Sequence, residues 1–247
     1  LLGITEVASG DLDGDGRTEA VMLSSSEGVV ATSRFENGRL TFPEAIVRKP
    51  EGWELAALAV LPHAGQAQLI VGLSQGSGNS AKLEYQRYRR DADGKWSRVT
   101  EDPKLELSGA VGQRGVRLVA MDVNADGRQD LLSIAAGQAK SGFHVLLQAE
   151  NGSLSAAVSS SQLEAGVSAP GRVFVSGSGL LVARDSFARM LSWKDGGWQV
   201  SDQINAGEAT AKIESVAALD LDGQEGAEVV LLDAGIRKAR ILRREDN

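Results

Sequence analysis

Residues 10–23 read GDLDGDGRTEAVML and join a glycine-rich acidic loop to an apolar run. Asp11, Asp13, Asp15 and Glu19 fall within nine residues. Carboxylates this close to one another repel when no counter-charge is present. The stretch is therefore either a solvated acidic turn, in which Asp and Gly serve turn geometry, or a loop built around a multivalent cation.

The same loop recurs twice further along the chain. It appears as MDVNADGRQDLLSI at 121–134 and, with one slip, as LDLDGQEGAEVVLL at 219–232. The first aspartates are Asp11, Asp122 and Asp220, which are 111 and 98 residues apart. Each gap is long enough for two supersecondary units, so we expect a degenerate copy of the loop near the middle of each gap. VLPHAGQAQLIVGL (60–73) and GRVFVSGSGLLVAR (171–184) fit that expectation and predict five repeats of about 50 residues.

Each repeat carries the pattern of four antiparallel strands. An extended apolar stretch precedes the loop, and a near-continuous apolar run follows it. Hairpin turns before the last strand are indicated by Asn37-Gly38, DADGKW (91–96), AENGSL (149–154) and WKDGGW (193–198). No helical period is sustained. The sequence predicts an all-β chain of β-propeller blades in one domain, 1–247, with repeats at approximately 1–50, 51–110, 111–165, 166–208 and 209–247.

The last repeat ends after about three strands, which gives about 4.5 to 5 blades. An open propeller exposes the faces of its terminal blades, which sheet proteins avoid. The chain also begins with Leu1 in place of Met. We therefore expect it to be a piece of a longer protein, with further blades elsewhere.

The overall composition narrows the classes of function. The net charge of −7 argues against a nucleic-acid partner, and 42% apolar residues support a folded core. No apolar run approaches the ~20 residues of a membrane span, so we expect no membrane insertion by this segment. The chain has no cysteine and two histidines, His63 and His144, which leaves little for thiol or Ser-His-Asp catalysis. We expect no catalytic residues and no organic cofactor.

The loop chemistry favours calcium. Acids stand at positions one, three, five and nine of the first loop, with glycines at four and six. An all-oxygen set with several carboxylates suits a hard cation with tolerant geometry. An EF-hand would place an acid at position twelve and a helix after it. Position twelve is Met22 here, and an apolar strand pattern follows.

DLDGDGRTE and DVNADGRQD resemble the calcium loops of FG-GAP (VCBS-type) repeats, which form the blades of integrin α-subunit propellers and of many bacterial extracellular proteins. The resemblance implies a larger, seven-bladed propeller and Ca²⁺ at two complete sites and a third, incomplete one. The implied ligands are Asp11, Asp13, Asp15, Glu19 and the carbonyl of Arg17; Asp122, Asn124, Asp126, Asp130 and the carbonyl of Arg128; and Asp220, Asp222 and Glu228. The third loop departs from the pattern at Gln224 and Glu225-Gly226, and the FG and GAP tripeptides are missing.

Two functional hypotheses remain open. The first is a non-catalytic, calcium-stabilised scaffold for a protein or glycan partner, located outside the cell, in the periplasm or at the cell surface. The second is the propeller platform or carbohydrate-binding part of a secreted polysaccharide-degrading enzyme. A cluster of acids, arginines and aromatics at the mouth of the central channel, outside the metal loops, would favour the second, and the sequence shows none. Trp96 and Trp198, at hairpin turns, are expected to pack between blades, with sugar stacking as the alternative.

Overall fold

The computed structural model describes residues 1–76, 82–91, 93–100, 105–108, 115–135, 143–157, 172–177, 179–224 and 226–243. These residues form 22 β-strands and no α-helix. No helix among them is long and apolar enough to cross a membrane. The strands are β1 (Ile4–Gly10), β2 (Glu19–Ser24), β3 (Val29–Ser33), β4 (Phe35–Glu36), β5 (Arg39–Leu40), β6 (Glu44–Arg48), β7 (Glu54–His63), β8 (Gln66–Gln75), β9 (Lys82–Arg90), β10 (Trp96–Arg98), β11 (Leu105–Ser108), β12 (Val116–Met121), β13 (Asp130–Ala135), β14 (Phe143–Gln148), β15 (Leu154–Ala156), β16 (Val173–Ser176), β17 (Gly179–Ala183), β18 (Phe187–Lys194), β19 (Gly197–Asn205), β20 (Ile213–Leu219), β21 (Glu228–Asp233) and β22 (Lys238–Leu242).

Twenty of the 22 strands build five antiparallel sheets in chain order, which confirms the predicted blades. Blade 1 is β1-β2-β3-β6, blade 3 is β12-β13-β14-β15 and blade 4 is β16-β17-β18-β19. Blade 2 is β7-β8-β9, whose outer edge pairs with β11 at residues 82–85 and with β10 at residues 88–90. Blade 5, β20-β21-β22, has three strands, as the shortened last repeat predicted.

Tight turns join the strands where the sequence predicted them. Asp195 and Gly196 connect β18 to β19 with φ of 51° and 76°. Asn37 and Gly38, with φ of 52° and 81°, also form a two-residue hairpin turn. The sequence predicted that this second turn leads into the fourth strand of blade 1, and this prediction is wrong. The turn closes a separate hairpin, β4-β5, inserted between β3 and β6.

Four apolar cores lie between successive blades. Leu23 and Leu69 belong to the core between blades 1 and 2, and Ile70 and Leu131 to the core between blades 2 and 3. The two later cores join blades 3 and 4 and blades 4 and 5. β7 contacts both β1 and β12, so the first strands of neighbouring blades stand side by side. Sheets stacked face to face around their first strands are the packing of a propeller.

Trp198 packs inside a blade interface. It is 3% exposed in the core between blades 3 and 4. Its ring centroid lies 5.3 Å from that of Trp193 in an edge-to-face arrangement and 6.1 Å from that of Phe143. This contact confirms the expected packing role of this tryptophan.

The described sheets do not close into a ring. In blade 1, Val7 is 62% exposed on the face opposite the core shared with blade 2. In blade 5, Leu232 and Ile241 are 50% and 61% exposed on the face opposite the core shared with blade 4. Large apolar side chains therefore face solvent at both ends of the series of blades.

Glu6 links two first strands through a half-buried carboxylate. Its Oε2 accepts the backbone N–H of Leu58 in β7 at 2.8 Å. Burial raises the pKa of Glu6 from 4.5 to about 7, against the lowering effects of the Leu58 hydrogen bond and of Arg117. The folded state therefore disfavours the charged form. The stability that Glu6 contributes is complete below about pH 4.5 and is lost as the pH rises through about 7.

We predict that Glu6→Gln, which keeps the acceptor and removes the charge, raises the thermal midpoint at about pH 8 and leaves it unchanged at about pH 4. The measurement is thermal unfolding followed by circular dichroism at both pH values. Glu214→Gln is the matched control, since Glu214 is an exposed residue of the first strand of blade 5. An equal gain at both pH values would contradict the prediction.

Candidate metal sites

The three acidic loops close through the same hydrogen bond, which is buried in the first two loops and part-buried in the third. The acid at position nine opens the second strand of its blade and accepts the backbone N–H of position two. The pairs are Glu19 with Leu12 at 2.8 Å, Asp130 with Val123 at 3.0 Å and Glu228 with Leu221 at 2.9 Å. All three acids are at most 5% exposed. A buried hydrogen bond to a charged acceptor contributes about 1.5–3 kcal/mol, so each of these acids fixes its loop to its strand.

The acid at position one organises the rest of the loop. Asp11 accepts the N–H groups of Gly14 and Gly16 at 2.7 and 2.9 Å. Asp122 accepts those of Asp126 and Gly127 at 3.1 and 2.9 Å. The glycines at position six, Gly16 and Gly127, have φ of 82° and 85°, a left-handed conformation that favours glycine.

Position five closes the last turn of the first two loops. Asp15 accepts the N–H of Arg17 at 2.8 Å, and Asp126 accepts that of Arg128 at 2.9 Å. The third loop has Gln224 at this position. Its left-handed glycines are Gly223 and Gly226, which is the one-residue shift that the sequence indicated. Glu225 lies outside the described residues.

Two of the loops bring carboxylates together. Oxygens of Asp11, Asp13 and Asp15 lie within 4.8 Å of one another, as do those of Asp220, Asp222 and Glu228. In the second loop the side chain at position three is an amide, and Asn124 Nδ2 donates to Asp126 at 3.0 Å. The sequence ranked the second loop above the third, whereas the convergent carboxylates are in the first and the third. The all-oxygen donor sets fit a hard divalent cation.

Electrostatics at position nine favours a bound cation. Burial raises the pKa of Glu19, the Leu12 hydrogen bond opposes this, and the charges of Asp13 and Asp15 raise the pKa further. Burial also raises the pKa of Asp130, against hydrogen bonds from Gln148 and Val123, and Asp126 and Asp122 raise it as well. Neighbouring like charges thus add to the cost of burial, and a cation in the loop would relieve both effects.

Arginines form ion pairs with the position-three aspartates of the first and third loops. Arg34 and Arg90 lie 2.5 and 3.1 Å from Asp13 Oδ2, and Arg243 lies 2.8 Å from Asp222 Oδ2. Arg34 and Arg243 each directly follow the third strand of their blade.

In blade 3 the residue after the third strand is Ala149, and position three is the neutral Asn124. An arginine therefore occurs where position three is acidic. Sequence reasoning missed these pairs, although each arginine stands 15 residues after the position-nine acid of its own loop, 34 − 19 and 243 − 228.

Blades 2 and 4 make the same connection without acids. Ala64 and Gly65, with φ of 48° and 77°, join β7 to β8, and Gly177 lies in the turn from β16 to β17. The first acidic loop rests against the turn of blade 2, since the carbonyl of Asp11 accepts the N–H of Ala67 at 3.0 Å. Both degenerate copies therefore keep the strand–turn–strand arrangement predicted from the sequence.

The two histidines do not belong to the carboxylate groups of the described residues. Burial, Arg89 and Arg87 together lower the pKa of His63. Burial lowers the pKa of His144 on β14. Both imidazoles are therefore held toward the neutral form.

Comparison with known proteins shows the fold and no family. No family model matches the chain, and no curated protein matches it. Among solved structures, the crystal structure of a protein from Lactobacillus plantarum, a structural genomics target, is similar with a TM-score of 0.53. It is 16% identical, and the match covers 97% of this chain and 70% of that chain. At this identity the likeness supports the propeller-like all-β fold alone.

We predict that Arg243→Met increases the affinity of the third loop for Ca²⁺ about threefold to tenfold. In water, an exposed positive charge about 4 Å from a divalent cation costs roughly 2 kcal/mol, and salt screening reduces the repulsion relieved to roughly 1 kcal/mol. The measurement is calcium titration by isothermal calorimetry. Lys238→Met is the control, because it removes the same charge from the start of β22, at the other end of that strand from Arg243. An affinity that rises equally in both variants would show a general charge effect and contradict the role of Arg243.

Proposed function

We propose that this chain is a non-catalytic, calcium-stabilised β-propeller module that serves as a binding scaffold. The observation that carries the proposal is the repeated loop. Blades 1, 3 and 5 each place carboxylates between their first and second strands, and the position-nine acid closes each loop through the same hydrogen bond. Equal placement in three blades supports a role in holding the blades.

Calcium is the cation that the donor set supports best. The loops offer carboxylate, amide and carbonyl oxygens, which suit the six to eight ligands and flexible geometry of Ca²⁺. Two bound ions would change the formal charge from −7 to −7 + 4 = −3. Because binding would select the folded loop, its free energy would add to the stability of the fold.

A structural role is supported by the blades that lack acids. Blades 2 and 4 make the same strand connection with tight turns, so the chemistry of the loops is not required for a blade to form. In the acidic loops the carboxylates also accept hydrogen bonds from backbone N–H groups, which hold the loop backbone in its conformation. Extracellular modules use calcium sites of millimolar affinity, so we place this module outside the cytoplasm, where such sites are filled. The partner that we propose for it is a protein or a glycan.

A second candidate function is the carbohydrate-binding part of a secreted polysaccharide-degrading enzyme. One observation favours it. A cavity beside the first loop is lined by carboxylates, arginines and aromatic rings, among them Glu36, Arg90 and Trp96. The cavity lies at the outer strands of blade 1 and includes Asp13 and Glu19 of the first loop, so it is a different place from the channel-mouth cluster that would discriminate the two functions. Because one fold hosts many functions, the cavity supports binding more directly than it supports a reaction.

We predict that calcium at about five times a millimolar Kd raises the thermal midpoint over that in chelator by roughly 2–4 °C for each occupied site, because RT ln(1 + 5) is about 1 kcal/mol, which shifts the midpoint by that much in a domain of this size. Asp15→Ala and Asp126→Ala should each lose part of this gain, because both remove the position-five ligand. The measurement is differential scanning calorimetry.

Glu51→Ala is the control for these variants, since Glu51 is an exposed acid outside the loops. It should keep the full gain. Equal midpoints in calcium and chelator for the unaltered chain would show that the acidic loops are solvated turns, and the proposal would fail.

A further inference from the structure

A cavity of about 370 Å³ adjoins the first acidic loop. It lies between the outer strands of blade 1 and the β9–β10 turn of blade 2, with Asp13 and Glu19 in its wall. The volume falls within the roughly 300–1,000 Å³ of small-molecule sites. The cavity therefore has room for a ligand next to the residues of the candidate metal site.

Two aromatic rings line this cavity, and one of them has no packing role. Phe42 is 90% exposed and follows the β4-β5 hairpin, which is inserted in blade 1. Trp96, at the start of β10, packs in part against the core of blades 1 and 2 and also lines the cavity. Exposure of a phenyl ring to water is unfavourable, so a partner that covered the ring would gain free energy of burial. Flat aromatic faces suit the apolar C–H face of a sugar ring.

The polar wall offers both acceptors and fixed donors. Glu36 and Glu44 are exposed carboxylates, which accept hydrogen bonds from hydroxyl groups. Arg90 is held in place because its Nε donates to the carbonyl of Gly94 at 3.0 Å and its Nη1 lies 3.1 Å from Asp13. A guanidinium carries five N–H donors, so it can serve Asp13 and a ligand at the same time.

The charges of the wall favour a neutral ligand. Four carboxylates and two guanidiniums line the cavity, which gives −4 + 2 = −2. Counting a divalent cation in the first loop together with its other ligands, Asp11 and Asp15, gives −6 + 2 + 2 = −2, so the site has no excess positive charge for an anion. Both guanidiniums already pair with Asp13, so an anionic ligand would meet little uncompensated positive charge.

We propose that this cavity binds a neutral oligosaccharide, with Phe42 and Trp96 stacking on the sugar and Glu36, Glu44 and Arg90 bonding its hydroxyls. The inference rests on the proposed function, because the charge balance counts the cation in the first loop. It assigns the glycan partner to one place on blade 1.

The test is binding of the whole chain, in calcium, to immobilised cellotriose, maltotriose, xylotriose and mannotriose. At least one should bind, and Phe42→Ala should weaken that binding at least about tenfold. Phe35→Ala is the matched control, since Phe35 is also exposed, at 65%, on the β4-β5 hairpin but does not line the cavity. Neither variant should change the thermal midpoint, because both rings face solvent.

Several results would overturn the proposal. These are no binding to any neutral sugar, stronger binding of trigalacturonate or of a pentalysine peptide, or equal losses in the Phe42 and Phe35 variants. Calcium stabilisation without sugar binding would refute the glycan site and leave the calcium scaffold standing. Sugar binding that depends on Phe42 but persists in chelator would uphold the site and refute the part assigned to the cation.

Discussion

The hydrogen bond between the position-nine carboxylate and the N–H of position two is the constraint on which each acidic blade depends. It places a negative charge at the root of the second strand, where the side chain is at most 5% exposed. Burying such a charge is costly unless it is paired. Backbone N–H groups of the loop donate to the carboxylate, and an arginine or an ion can supply further positive charge nearby. The shape of the loop and its link to the fold both follow from this one contact.

The blades show two solutions to that electrostatic problem. In the first and third loops, Arg34 and Arg243 reach the position-three aspartate from the end of the third strand. In the second loop, Asn124 removes the charge at position three, and Asp130 uses both oxygens, accepting Val123 and Gln148. The second loop still pairs one acid with an arginine, because Arg128 lies 2.5 Å from Asp126 Oδ2. The second and third loops each hold three acids at the ligand positions, so they differ in the position that the arginine pairs with and not in their number of carboxylates.

Most of the fold could be predicted from the sequence because the same local sequence pattern of strands and turns recurs in five repeats. Left-handed glycines such as Gly16, hairpin turns such as Asp195-Gly196, and apolar strands are local signals. The β4-β5 hairpin was misplaced, because Asn37-Gly38 marks a turn without saying which strands it joins. The pairing of Arg34 with Asp13 and the cavity that holds Phe42 arise from contacts between strands and blades, which no local pattern specifies.

The cavity and the first loop share residues, so their properties are coupled. Asp13 faces the other loop carboxylates, Arg34 and Arg90 at once, and the two arginines line the cavity. A cation that drew on Asp13 would weaken its hold on both guanidiniums and leave them freer to donate to a ligand. A ligand that engaged the arginines would in turn leave Asp13 freer for the cation, since coupling between two sites is reciprocal. If both proposals hold, the shared carboxylate would make the ion and the ligand assist each other.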